Sequence, residues 1–298
     1  MSMGRTKQQQ GAFWVESQSL RGPGHPFFER LNRVLFAHDF DRKVEALCAD
    51  SYADRHGRPS IPPGVYFRML MVGYFEGIDS ERGIAWRCQD SSSLKSFIGI
   101  DLGQPSPDHS TLSVIRRRLP ADIFQEVFKA VLAMMHAEGL LKGHKLALDS
   151  SLMDANAAMR SIVRKDTNET YSGYVERLAS ASGEPAVTRS EQARFDKKRE
   201  KRTTSNADWA STTDPEAKIA KMKDGRTHLA YKPEHAVDID SGAIIAATVN
   251  PADSSDHSTA TSTLVQVTEN LEHIELSSSG FTVVADKGYH AQSAPRGE

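Results

Sequence analysis

The chain has 298 residues, 39% of them hydrophobic, and a formal net charge of −2. That length and apolar content support one large or two ordinary domains with buried cores. The near-neutral balance excludes a protein held to nucleic acid by overall basic charge, so any such contact has to be local. Cys48 and Cys88 offer neither a disulfide framework nor a metal-ligand spacing, and a reducing, cytoplasmic setting is expected. The longest apolar run, around Tyr66 to Phe75, is interrupted by Arg68, so neither a signal core nor a membrane span is expected.

Residues 1–24 open polar and glutamine-rich and read as a disordered tail. Between 25 and 141 apolar residues recur at three- and four-residue steps, as in Phe28, Leu31, Val34 and Leu35, and again in Ile123, Val127, Ala130, Val131 and Met134. Gly, Pro, Asp and Ser break the pattern at 57–63, 77–79, 90–93 and 99–107. An all-α N-terminal domain follows. Ser80 to Gln89 and Ser110 to Leu119 predict two helices of a helix-turn-helix-like arrangement, separated by more than a standard turn. Asp108 or Ser110 would cap the second helix, and Arg116, Arg117 and Arg118 at its end would face DNA phosphates.

From 142 onward the pattern predicts an α/β domain with a mixed sheet. Lys145 to Asp149 is a short apolar run ending in a carboxylate, as a buried strand would be. Residues 155–225 are polar and predict an irregular or partly helical insertion. The run Arg189 to Arg202, with seven basic residues against three acidic, reads first as a solvated helix face. Leu229 to Asp240 and Ala243 to Asn250 predict a hairpin closed by Asp240-Ser241-Gly242. Ser258 to Glu272 predicts a helix with Leu264, Val267 and Leu271 on one side, and Phe281 to Ala285 the next strand.

Asp149 and Asp286 each stand directly after one of these apolar strands. Mg²⁺, or Mn²⁺ in its place, takes oxygen ligands and keeps several waters, so two such carboxylates with substrate phosphate oxygens suffice to hold it. Two ions about 3.5–4 Å apart would serve an in-line phosphoryl transfer. An Asp ending a strand is nevertheless more often a turn or helix cap than a ligand, and the residues alone leave both readings open. Lys287, beside Asp286, is positioned to meet a phosphate. The histidines, His136, His144, His235, His257 and His290, match no zinc spacing. Trp14, Trp86 and Trp209 are scattered and imply no stacking platform.

Ordered motifs carry a family resemblance across residues 25–292. Arg58-Pro-Ser-Ile-Pro-Pro63, Gly73-Tyr-Phe-Glu-Gly77, Ile84 to Asp90, Pro107-Asp-His-Ser-Thr-Leu112 and Arg116 to Leu119 resemble the N-terminal domain of InsH-like insertion-sequence transposases. Ala147-Leu-Asp-Ser-Ser151, Thr213-Asp-Pro-Glu216, Leu229-Ala-Tyr-Lys232, His235-Ala-Val-Asp238 and Val284-Ala-Asp-Lys-Gly-Tyr289 resemble the catalytic domain of the same family. The resemblance implies an RNase-H-like domain in which Asp149 and Asp286 are the first two members of a DDE metal triad, with Asp256 structural. It further implies a transposase acting as a homo-oligomer on double-stranded DNA, at element terminal repeats and target, in the bacterial nucleoid.

In the family the third carboxylate is a Glu on a helix beyond one further strand. Few residues follow Asp286, and Glu298 is too close to it. The expectation is therefore an incomplete catalytic domain that lacks its last strand and helix, and an inactive chain. A non-catalytic DNA-binding remnant that inhibits an intact transposase is the alternative.

Overall fold

The computed structural model of the protein describes residues 3–4, 24–53, 57, 59–184, 186, 188–199, 204–276 and 280–289. Most of the expected tail over 1–24, His290 and the segment 290–298 lie outside the described residues. The chain divides into two compact units, Met1–Met134 and Met135–Glu298.

The helical periodicity becomes α1 (Pro26–Ala37), α2 (Phe40–Leu47), α3 (Pro63–Phe75), α4 (Glu81–Asp90), α5 (Ser92–Phe97), α6 (His109–Arg118) and α7 (Ala121–Ala137). Local chemistry sets their ends. Pro63 starts α3, where a missing N–H costs nothing. The side chains of Ser80, Ser91 and Asp108 accept from Gly83, Leu94 and Ser110 N–H and cap α4, α5 and α6. At the end of α3, Gly77 adopts φ +65° while Ile78 N–H reaches Gly73 O at 2.8 Å, a Schellman turn that a side chain at 77 would strain.

Val65, Tyr66, Phe67, Met69 and Val72 bury α3 on nearly every side, and Phe28, Leu35, Phe40, Val44, Ile84, Leu112 and Ile115 complete the core around it. α4 packs on α6, the pair expected from the sequence, with α5 between them in the chain. Two basic side chains, Arg68 and Lys95, are buried here. Arg68, 5% exposed, donates through Nε and Nη2 to both Asp41 oxygens at 2.8 Å, and through Nη1 to Asn32 at 2.7 Å and Phe97 O at 2.9 Å.

Cys48 and Cys88 are fully buried, which raises their thiols to about 11 and about 12. Thiolate, the reactive form, is then negligible near neutrality. Neither is expected to be alkylated by iodoacetamide at pH 8 in the native protein, and both are expected to react in urea. Mass spectrometry showing native labelling of either would contradict this packing.

In the second unit the order is β1 (Lys145–Ser150), β2 (Met153–Asp154), β3 (Ile162–Arg164), α8 (Tyr171–Ala181), α9 (Arg189–Lys198), β4 (Trp209–Ser211), β5 (Lys218–Lys221), β6 (Thr227–Asp238), β7 (Ile244–Pro251), α10 (Asp256–His273) and β8 (Thr282–Ala285). β6 runs antiparallel to β1 on one side and β7 on the other, and β8 is parallel to β1. β2 and β5 pair with the first half of β6. This is the expected mixed sheet, with α10 as the crossover from β7 to β8, and it fits an RNase-H-like domain.

Strand alternation assigns the two faces of the sheet. Lys232, Glu234, Ala236 and Asp238 of β6 are buried on the side of α10, whose Thr259 and Thr263 bond Glu234. Leu146 and Leu148 of β1 are buried in the same phase. Asp149, His235, Val237 and Val249 belong to the opposite phase, where exposure is greater.

The insertion is more ordered than the sequence implies. Ile162, Trp209, Ala217 and Leu229 form a small core packed by Tyr171, Tyr174 and Ile219. Trp209 is 4% exposed, with the Tyr171 and Tyr174 rings each 5.4 Å away. Arg164, Arg177 and Arg199 lie over the Tyr174 ring. This cluster was illegible because its members come from separate elements. Tyr231 donates to Asp214 at 2.6 Å and ties the insertion to β6. Along α9, Arg189, Arg194, Lys197 and Lys198 are exposed, as a solvated face requires, whereas Arg199 turns in to Asp196 at 2.9 Å.

Candidate active site

The parallel register of β1 and β8 runs from Lys145 opposite Thr282 to Leu148 opposite Ala285. The next residue on each strand is Asp149 and Asp286. Adjacent strands lie about 4.8 Å apart, so this register brings both residues to the same end of the sheet. On the other side of β1, Asp149 pairs directly with His235 of β6. A row of three polar residues, His235, Asp149 and Asp286, therefore crosses β6, β1 and the end of β8. Directly opposed residues bring their Cβ atoms to about 4.5–5.5 Å, which makes His235 a neighbour of Asp149 on the face away from α10. The sequence left His235 without a role, because pairing register cannot be read from one strand.

Asp149 and Asp286 are both solvent-exposed. Asp149 Oδ1 accepts from Ser150 N–H at 2.9 Å, and Asp286 Oδ1 from Gly288 N–H at 2.6 Å. An ionised carboxylate has about four acceptor sites, so one local bond fixes each group and leaves capacity for a ligand. A shallow cavity of about 300 Å³, lined by Ala147, Asp149, His235, Val237 and Ile244 among others, opens on the β6 side of Asp149.

Among the described residues, no three His, Cys, Asp or Glu side chains gather as a ready-made metal cage. Two hard oxygen donors still fit a Mg²⁺-type ion, which retains waters and takes phosphate oxygens rather than demanding a full protein shell.

Behind this row, on the side of α10, lies a second set of polar groups. Asp256, the first residue of α10, accepts from Lys232 Nζ and from Ser150 Oγ at 3.1 Å, and Lys232 also reaches Ser254 O at 2.9 Å. The Lys232 hydrogen bond is the main cause holding the Asp256 carboxyl below its ordinary value. The resulting stabilisation is present above the ordinary carboxylate range and fades as pH falls through the lowered value. Glu234, fully buried, accepts from Thr259 at 2.7 Å, from Thr263, and from Tyr289 at 3.0 Å. Burial, with Glu234 adding, pushes the Tyr289 phenol up.

Sequence reasoning missed that the polar side chains of Lys232 and Glu234 are buried. The signal was there: Lys232, Glu234 and Asp238 occupy alternate positions of one strand, the phase that Leu146 and Leu148 take on β1. Asp238 accepts from Lys142 N–H at 3.0 Å and from Ser241 Oγ at 2.7 Å, so it closes the hairpin turn rather than joining the site.

The proposed phosphate contacts separate in the structure. Arg116, 62% exposed, approaches Glu81 at 3.4 Å, and Arg117 is exposed with Nε bonded to Ser113 O at 3.2 Å. Arg118 lies differently from its two neighbours. Its guanidinium lies over the Tyr52 ring at 4.9 Å, and the residue is half-buried. Lys287 is exposed in the turn Lys287–Tyr289, next to Asp286.

Two family models match the chain: the Transposase domain (DUF772) over residues 16–118 and the Transposase DDE domain over residues 162–295. The second match includes Asp256 and Asp286 and begins after β1, so Asp149 stands outside it. No curated protein and no solved structure matches. Among the described residues, no helix is long and apolar enough to cross a membrane. The two matches follow one another in the order of the helical unit and the mixed-sheet unit, and the chain belongs to the DDE transposases of insertion sequences.

Proposed function

We propose that Asp149 and Asp286 together hold divalent metal, Mg²⁺ or Mn²⁺, and that the protein cleaves DNA at the ends of its element and joins those ends to a target. The observation supporting this reading is the β1–β8 register, which sets Leu148 opposite Ala285, the residues that immediately precede the two aspartates. With two ions bound, such a site supplies charge neutralisation at both the attacking and the leaving oxygen of an in-line phosphoryl transfer.

The chain's own contribution is placement. Ser150 and Gly288 N–H groups orient the carboxylates, and the exposed end of the sheet leaves room for a DNA strand. His235 occupies the cavity wall beside Asp149, in reach of a strand lying there. Without cations the row of carboxylates would repel phosphate, so metal and DNA occupancy are coupled. Lys287 adds a positive charge at the edge of the site, and Arg116 and Arg117 on α6 supply phosphate contacts from the helical unit.

Phosphate contacts weaken binding to all sequences alike and set its salt dependence. In fluorescence anisotropy on an element-end duplex, the Arg116→Ala/Arg117→Ala double variant is expected to flatten the plot of log affinity against log salt by about two units of slope. Affinity for random duplex should fall in parallel. Arg118→Ala is expected to lower the melting temperature instead, through loss of its Tyr52 contact. A double variant with wild-type slope would remove α6 from the DNA interface.

A further inference from the structure

β8 delivers Asp286 to the site, yet little apolar burial holds it there. It has four residues, all exposed, and the described strand pairs with β1 alone. Short edge strands of this kind fray, because each residue contributes backbone bonds on one side only and no side-chain burial. Something else must keep Asp286 level with Asp149.

The turn after the strand carries the candidates. In Lys287–Tyr289 the chain crosses to the α10 side of the sheet, and Tyr289 donates its hydroxyl to Glu234 at 3.0 Å. Glu234 is itself pinned by Thr259 and Thr263 of α10. One residue earlier, Gly288 lies so close to Asp256 that a Cβ there would stand 2.5 Å from Asp256 Oδ2 and 3.0 Å from Asp286 Oδ1. Asp256 in turn is held by Lys232 and by Ser150, the residue next to Asp149. Two chains of contact thus run from the Asp286 turn to β6 and α10, and one of them ends beside the partner aspartate.

Resting on the metal-site reading above, we propose that Tyr289 and Lys232 are positioning residues: Tyr289 through Glu234, and Lys232 through Asp256, latch the Gly288 turn onto the sheet and so hold Asp286 in register with Asp149. Neither residue touches metal or DNA in this scheme. The latch gives both buried side chains partners, since Glu234 accepts from Thr259, Thr263 and Tyr289 while Lys232 donates to Ser254 O and Asp256. It also assigns a task to the Lys-Gly-Tyr sequence that follows Asp286: a residue with no side chain where Asp256 approaches, and a hydroxyl one position later.

The test uses the full chain and Mn²⁺ alone, titrated by electron paramagnetic resonance without DNA. Outer groups that orient metal ligands change affinity about tenfold or more when removed. Tyr289→Phe, which deletes one oxygen and keeps the ring, is expected to weaken Mn²⁺ binding about tenfold. Hydrogen exchange at residues 284–287 should speed up by a similar factor, while amides of α3 in the helical unit stay unchanged. Lys232→Met should weaken binding likewise, and Lys232→Arg should restore it at least in part; a merely structural lysine would not divide its variants this way by metal affinity.

Mn²⁺ binding and exchange within twofold of wild type in folded Tyr289→Phe would overturn the latch. Should Lys232→Met fail to fold, the Tyr289→Phe result decides alone. The metal-site reading fails separately and visibly. Wild type would then show no saturable Mn²⁺ binding, or Asp286→Asn would bind as wild type does. The exchange comparison would still show whether the turn is latched.

Discussion

Asp286→Asn is expected to abolish divalent-metal-dependent cleavage of element-end DNA, lowering the rate by about a thousandfold or more, and Asp149→Asn to do the same. Asparagine preserves shape and hydrogen bonding but removes the negative charge that a hard cation requires. Metal-supplied charge stabilisation contributes several kcal/mol to such a transition state, and each 1.36 kcal/mol is about tenfold in rate. Because the two carboxylates would act as one unit across β1 and β8, the double variant is expected to be no worse than either single one. Gel analysis of end-labelled duplex in Mg²⁺, with a metal-free control, reads the effect. Losses that multiply in the double variant would show two independent roles and would argue against a shared site.

Arg68→Leu carries the largest expected effect on stability. The guanidinium is 5% exposed and makes four bonds inside the helical unit, joining α3 to α2 through Asp41, to α1 through Asn32 and to the end of α5 through Phe97 O. Removing one member of a buried pair leaves the other charge without compensation and costs about 3–5 kcal/mol. For a domain of this size each kcal/mol moves the midpoint by about 4–8 °C, so the helical transition should fall by more than about 12 °C or vanish. Arg68→Leu/Asp41→Leu is expected to recover part of the loss, since replacing both partners removes the stranded carboxylate. Circular dichroism melts of the two variants decide it. A single variant melting within about 3 °C of wild type would show the pair to be incidental.

Much of this architecture was legible in the residues. The three- and four-residue periodicity, with Asp108 as a cap, placed the helices because helix formation is governed by neighbours along the chain. The strands around Leu148, Ala236 and Val284 were legible for the same local reason. Asp149 and Asp286 were visible as carboxylates at strand ends, whereas the pairing of β1 with β8 depends on strand register, a long-range property that no single run encodes. His235 could be placed near that end of the sheet, but its pairing with Asp149 could not be read on that account. Trp209 escaped through its distance in sequence from Tyr171 and Tyr174, and Arg118 because an arginine at a helix end looks alike whether it faces phosphate or a tyrosine ring.

The shared site itself can be mapped without any catalysis. Fe²⁺ bound in place of Mg²⁺, given ascorbate and peroxide, generates hydroxyl radicals that cut the polypeptide next to the ion. Two strand ends holding one metal centre predict two cuts, one beside Asp149 and one beside Asp286, that fade together as Mg²⁺ is added and disappear together in either asparagine variant. A cut at one of these positions alone, or two cuts that respond to Mg²⁺ independently, would contradict the account.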